Sequence, residues 1–220
     1  MRTLRTLSIS AAVIMAALAT THALAESNFA TGPVATAPSA SARLDFRVTI
    51  PRVLYLRVGT GTNNANNTTV NLIDFAPTAA VVGNGSPVAA TAASGDLTNG
   101  AVTVRIFGNN GNITLNSANT GPLNNAVATQ TIPWSEVNVT PAALAAPSAG
   151  YTNGTITHPA FNTGAAGGNG TATTLTAVNN IIRQEGQWTF AYANTGLPAA
   201  GTYGGVNVNA GRVTYTASMP

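Results

Sequence analysis

The sequence predicts an all-β fold, an antiparallel two-sheet β-sandwich of about ten strands. Short stretches of alternating apolar and polar residues recur along the chain, and turn-forming Gly, Pro and Asn separate them. No convincing amphipathic helix is present, and short strands with frequent turns bury their apolar faces by packing one sheet on another. Periodicity alone leaves a closed barrel as the other solution. No internal repeat of fixed period occurs.

Residues 1–25 read as a secretory signal. Arg2 and Arg5 give a positive start, Leu7 to Ala19 is an apolar run of about 13 residues, and Ala23-Leu24-Ala25 fits the small-x-small cleavage rule. Such a run falls short of the roughly 20 residues a membrane span needs, so the expectation is an exported chain beginning near Glu26. Its location would be the periplasm, the cell surface or the extracellular space, with no membrane span in the mature chain. Residues 26–41 follow as a flexible leader, whose apolar bulk is limited to Phe29 and Val34.

Residues 42–220 are expected to form a single sandwich domain. In "RLDFRVTI", Leu44, Phe46, Val48 and Ile50 alternate with Asp45, Arg47 and Thr49, the pattern of a half-buried strand. Pro51 interrupts it before "RVLYLRV" and marks a bulge, an edge or a crossing between sheets. "TTVNLIDF" is a further strand candidate. The clearest hairpin is "AVTVRIFGNNGNITLNS", with Asn110-Gly111 at its tip suited to positive φ. "TQTIPWSEVNVT" is extended and broken at Pro133, and "GTITH" and "TATTLTAV" are weaker strands around a glycine-rich loop at residues 162–170. "QWTFAYA" places Trp188, Phe190 and Tyr192 on one face. "GGVNVN" and "GRVTYTA" close the chain across a turn at residues 209–211, so the simplest partner of the last strand is its predecessor.

Composition narrows the function classes. The chain has no cysteine, which excludes a disulfide framework and thiol chemistry, and it has no lysine. Without the signal, seven arginines face six acidic residues, too small an excess for a nucleic-acid partner. The one histidine beyond the signal, His158, lies in "THPAF" and reads as a surface or loop-packing residue. No Gly-x-Ser-x-Gly elbow occurs, the acidic residues are scattered, and no metal-ligand spacing appears, so neither an enzyme nor a cofactor is expected. Four residues are the candidate binding positions. Trp134, beside a strand break, is weighed between packing and stacking on a sugar ring. Arg47, Arg52 and Arg57 are weighed between pairing with nearby acids and lining a surface for acidic glycans or a partner's carboxylates.

The stretch Gln187 to Pro220, "WTFAYANTGLPAAGTY" followed by "GRVTYTASMP", resembles the ending of exported bacterial surface proteins of the WxL-like and fimbrial-subunit-like kind. The Trp-x-Leu signature reads Trp188-Thr189-Phe190 here. The resemblance implies an Ig-like sandwich with a structural or adhesive role at the cell surface. Two functions are therefore expected to compete. One is a structural or adhesive protein, such as a fimbria-like subunit, assembling through strand exchange between copies. The other is a module binding glycan or a protein partner through the loops around Trp134. If strand exchange occurs, the second unpaired edge is expected in "RLDFRVTIPRVLYLRV".

Overall fold

A computed structural model of the chain describes residues 27–127 and 129–220. The expected signal at residues 1–25 lies outside them. The chain divides into two units, residues 1–50 and Pro51–Pro220. In the first, the described residues 27–50 form no strand or helix and are nearly all exposed. The half-buried strand expected at "RLDFRVTI" does not form. Leu44, Phe46, Val48 and Ile50 are 69, 89, 84 and 76 % exposed. Their alternation is that of a strand, but among the described residues they join no ladder and stay exposed, and burial is what the pattern needs to become structure.

The second unit is all-β, with twelve strands among the described residues: β1 (Leu54–Val58), β2 (Val88–Ala89), β3 (Ala101–Gly108), β4 (Ile113–Asn119), β5 (Leu123–Asn124), β6 (Thr131–Ile132), β7 (Val137–Ala142), β8 (Thr152–Asn153), β9 (Gly168–Asn169), β10 (Thr173–Leu175), β11 (Ile182–Tyr192) and β12 (Thr214–Ser218). β11 is central to the larger sheet. It pairs antiparallel with β3 and β2 along one edge, and along the other antiparallel with β7 and parallel with β8; β1 then adds to β3. In the second sheet β4 lies at the centre, flanked antiparallel by β12 on one side and by β10 and β9 on the other. β5 and β6 form a separate short pair. The sheets are open, as in a sandwich and unlike a barrel.

Alternation explains the core. Val102, Val104 and Ile106 of β3, Trp188 and Phe190 of β11, and Ile113 and Leu115 of β4 meet in one buried cluster. The expected β3–β4 hairpin forms, and its tip needs only Gly111 to take positive φ, at +95°. Gly186 of β11 serves a different need: a Cβ there would lie 2.4 Å from the Gly154 carbonyl oxygen and 2.9 Å from that of Ala142, so β11 could not pass between them.

β3 is buried on its outer face as well, and there the sequence places a charge pair in register. Arg105 lies opposite Glu185 across the ladder. Glu185 is fully buried, accepting from the Arg105 Nε at 2.6 Å and from the Ser148 N–H at 2.5 Å. Arg105 also donates to Asn63 Oδ1 at 2.6 Å and to the Ser148 hydroxyl, and lies over the Tyr151 ring. One ion pair thereby ties two loops onto the sheet.

Two further expectations are corrected. "GGVNVN" is not a strand: Gly204, Gly205, Asn207, Asn209 and Ala210 all have positive φ, which curls residues 204–210 into successive turns. The last strand pairs instead with β4, Tyr215 opposite Ser117. "TTVNLIDF" joins no ladder and is held by isolated bonds, among them Thr91 N–H to the Asp74 carbonyl at 2.8 Å.

Removing either partner of the Arg105–Glu185 pair alone, as in Arg105→Leu or Glu185→Gln, should lower the unfolding free energy by about 3–5 kcal/mol. The double variant Arg105→Met with Glu185→Leu should cost far less than the two singles summed, as read from urea unfolding curves.

Candidate functional site

The last strand, β12, turns Tyr215 and Ala217 toward the core and Thr214, Thr216 and Ser218 away from it. β4 takes one of its backbone edges. Among the described residues its other edge has no ladder partner. At the start of β12, beside Thr214 and Tyr215, the sandwich is open: a groove of about 1210 Å³ reaches in from the surface to residues of the core itself, including Val102, Trp134 and Phe190. Leu56 and Val58 of β1 line it, together with Ile73 and Phe75 of the unpaired segment that follows. Two runs of loop form its rim, at residues 60–79 and 197–207.

The groove is apolar because strand alternation sends these side chains inward and no further strand covers them. Trp134 sits in a short 3-10 turn, Trp134–Glu136, started by Pro133. Its ring is 7 % exposed, packs on Phe161 at 5.0 Å between centroids, and donates its indole N–H to the Gly121 carbonyl at 2.8 Å. The sugar-stacking reading of Trp134 is thereby corrected, since a satisfied, buried indole offers no open face to a ring in solvent. Trp134 is part of the groove wall.

The arginines differ in what they engage. Arg57 pairs with Asp96 at 3.1 Å and donates to the Gly59 carbonyl at 2.6 Å, so it is used within its own unit. Arg52 is exposed and reaches the Pro220 carbonyl at 3.5 Å. Arg47 belongs to the other unit and is exposed.

Behind the groove wall stands a cluster that sequence reading missed. His158 Nε2 and the Tyr215 hydroxyl share a hydrogen bond of 2.7 Å. The imidazole also meets Trp188 and Phe161 edge to face, at 4.6 and 4.7 Å. Trp188 is itself fixed by donating to the Ile156 carbonyl at 2.7 Å. The sequence signals were two alternations, Trp188 with Phe190 and Tyr215 with Val213 and Ala217; what they lacked was any local cue that the loop histidine packs against them. Burial lowers the His158 pKa to about 4 and raises that of Tyr215. The imidazole is therefore neutral at physiological pH.

Three of the acidic groups have structural partners. Asp96 accepts from Arg57 and from the Thr103 N–H, Glu185 from Arg105 and Ser148, and Glu136 from Thr195. Among the described residues, no group of three or more His, Cys, Asp or Glu could hold a metal ion, and no helix is long and apolar enough to cross a membrane.

Because the unfolded chain binds a proton at His158 near pH 6.5 and the folded chain only near pH 4, stability should fall as pH drops from 6.5 and level off below about 4. The loss is at most about 3 kcal/mol. His158→Gln should flatten this part of the curve, measured as thermal midpoint against pH. Comparison with protein-family models, with curated proteins and with solved structures finds no match for the chain.

Proposed function

We propose that the chain is a non-enzymatic, exported structural or adhesive protein of the cell surface, fimbria-like in using a sandwich that another extended strand completes. The observation that carries this reading is the groove. It is open, apolar and continuous with the core, and at Thr214 and Tyr215 it reaches the start of β12, whose second backbone edge has no ladder partner among the described residues. A strand laid there would satisfy the β12 edge with main-chain hydrogen bonds and fill the groove with alternate side chains, the chemistry of strand addition. Each aliphatic side chain so buried would contribute about 1.5–3 kcal/mol. Export is supported by the pattern of residues 1–25, and a surface role by the chain's resemblance at Gln187 to Pro220. Recognition of glycan by an exposed Trp134 has lost its anchor.

The test is binding of a generic alternating peptide, Thr-Val-Thr-Ile-Thr-Val-Thr-Ile, to the full chain at submicromolar concentration, read by tryptophan emission since Trp134 lines the groove. Saturable micromolar binding is expected. A peptide of the same composition with its apolar residues in one block should bind at least tenfold more weakly. Absence of saturable binding by the alternating peptide would sink the reading.

A further inference from the structure

Residues 204–211 form a closed loop. Gly204 and Gly211 meet at its neck, where a Cβ on Gly211 would lie 2.9 Å from the Gly204 Cα and 2.3 Å from the Gly205 nitrogen. Asn124 of β5 pins the loop, accepting from the Gly204 N–H at 2.9 Å and donating its own N–H to the Asn209 carbonyl at 3.1 Å. Compact loops whose ends meet in this way recur at functional sites. Against one side of the loop lies a pocket of about 340 Å³, bounded by residues 118–120, where β4 ends, by residues 207–212 and by Thr214.

Unengaged donors dominate its wall. Arg212 is half-buried there and, alone among the five arginines of the second unit, makes no hydrogen bond, ion pair or ring contact with a described residue. Arg57 pairs with Asp96, Arg105 with Glu185, Arg183 lies over the rings of Phe107 and Tyr151, and Arg52 reaches the Pro220 carbonyl. The N–H groups of residues 207–210 have no partner among the described residues, and neither do the side-chain amides of Asn207 and Asn209. No Asp or Glu lines the pocket. A guanidinium fork set among free amides, with no counter-charge beside it, favours an anion with planar oxygens.

We propose that this pocket binds one residue of an acidic glycan, a uronic acid whose carboxylate pairs with Arg212 and whose hydroxyls reach Asn207, Asn209 and Thr120. The size agrees: small-ligand pockets run from about 300 to 1,000 Å³, so this one has room for a single ring and its substituents. The remaining chemistry suits a sugar better than an acidic peptide. Neutral amides and hydroxyls both donate and accept, as ring hydroxyls require, and Ala118, Val208 and Ala210 offer small apolar surfaces to the C–H groups of a ring. Of the arginines within the second unit that the sequence singled out for acidic glycans, Arg57 is spent on Asp96 and Arg52 reaches a backbone carbonyl; Arg212 is the one left uncommitted. The site goes beyond the strand-acceptor reading. Asn207 and Arg212 also border the groove, but the ligand class and the test are different.

The probes are methyl glucuronide and methyl galacturonide, each set against its neutral glycoside, with acetate and N-acetylaspartate amide as controls. They are titrated into the full chain and read by saturation-transfer NMR. At least one uronide should bind with a Kd on the order of 1 mM, and its neutral counterpart about tenfold more weakly. Arg212→Gln should remove this preference, and Arg212→Lys should restore part of it, since the charge returns without the bidentate fork. Asn207→Gly, which accommodates the positive φ at that position, should weaken acidic and neutral sugars alike. All three variants should keep the thermal midpoint of the unmodified chain. Equal binding of acidic and neutral sugars, or a preference that survives Arg212→Gln, would overturn the pairing of Arg212 with a carboxylate. Acetate or the aspartate derivative binding as tightly as the uronide would overturn the sugar. No binding of either uronide would overturn the site, and because the alternating peptide reports on the groove alone, the two readings fail separately.

Discussion

The ladder between β3 and β11 carries the rest of the structure, because both of its faces are buried and each face has a different chemistry. On the inner face Val102, Val104, Ile106, Trp188 and Phe190 anchor the core onto which β4 and its neighbours pack. On the outer face Arg105 and Glu185 stand in register and reach out to Ser148 and Asn63. A slip of one residue would drive the ion pair into the core and the aliphatic side chains onto the loops. Register is therefore specified twice, once by hydrophobicity and once by charge.

The same ladder shows which parts of the fold could be read in the sequence. β3, the Gly111 turn, β4 and β11 combine strict alternation with a local turn signal, and each forms where the alternation places it. "RLDFRVTI" alternates just as strictly and forms nothing, because alternation describes a face that wants cover and says nothing about whether cover exists within one chain. "GGVNVN" fails for a local reason: Asn and Gly tolerate the left-handed conformation and use it here at four positions, Gly204, Gly205, Asn207 and Asn209, with Ala210 following them. The pairing of β12 with β4, rather than with residues just before it, is a non-local choice that no window of sequence displays.

The candidate site was less legible still. Trp134 was singled out, but left between packing and stacking on a sugar ring; its indole bond to Gly121 depends on a turn 13 residues earlier. His158 gave no hint of its aromatic surroundings, which come from β11, β12 and the residues around Phe161. The groove itself is framed by β1, the start of β12 and loop runs at residues 60–79 and 197–207, a juxtaposition of distant segments that no window of sequence displays.

The pairing of β12 with β4 also has a kinetic meaning. Tyr215 and Ser117 lie about 100 residues apart in sequence, and closing a loop of that length costs on the order of 4 kcal/mol in chain entropy before any contact rewards it. Local hairpins such as β3–β4 form without that delay, so the second sheet gains its last strand late. Until then the inner faces of Ile113 and Leu115 stay wet alongside the already exposed Phe46 and Val48. The slowest step of folding and the greatest stickiness of the chain thus coincide in time, and the yield of native protein is set by how dilute, or how well sheltered, the chain is during that interval.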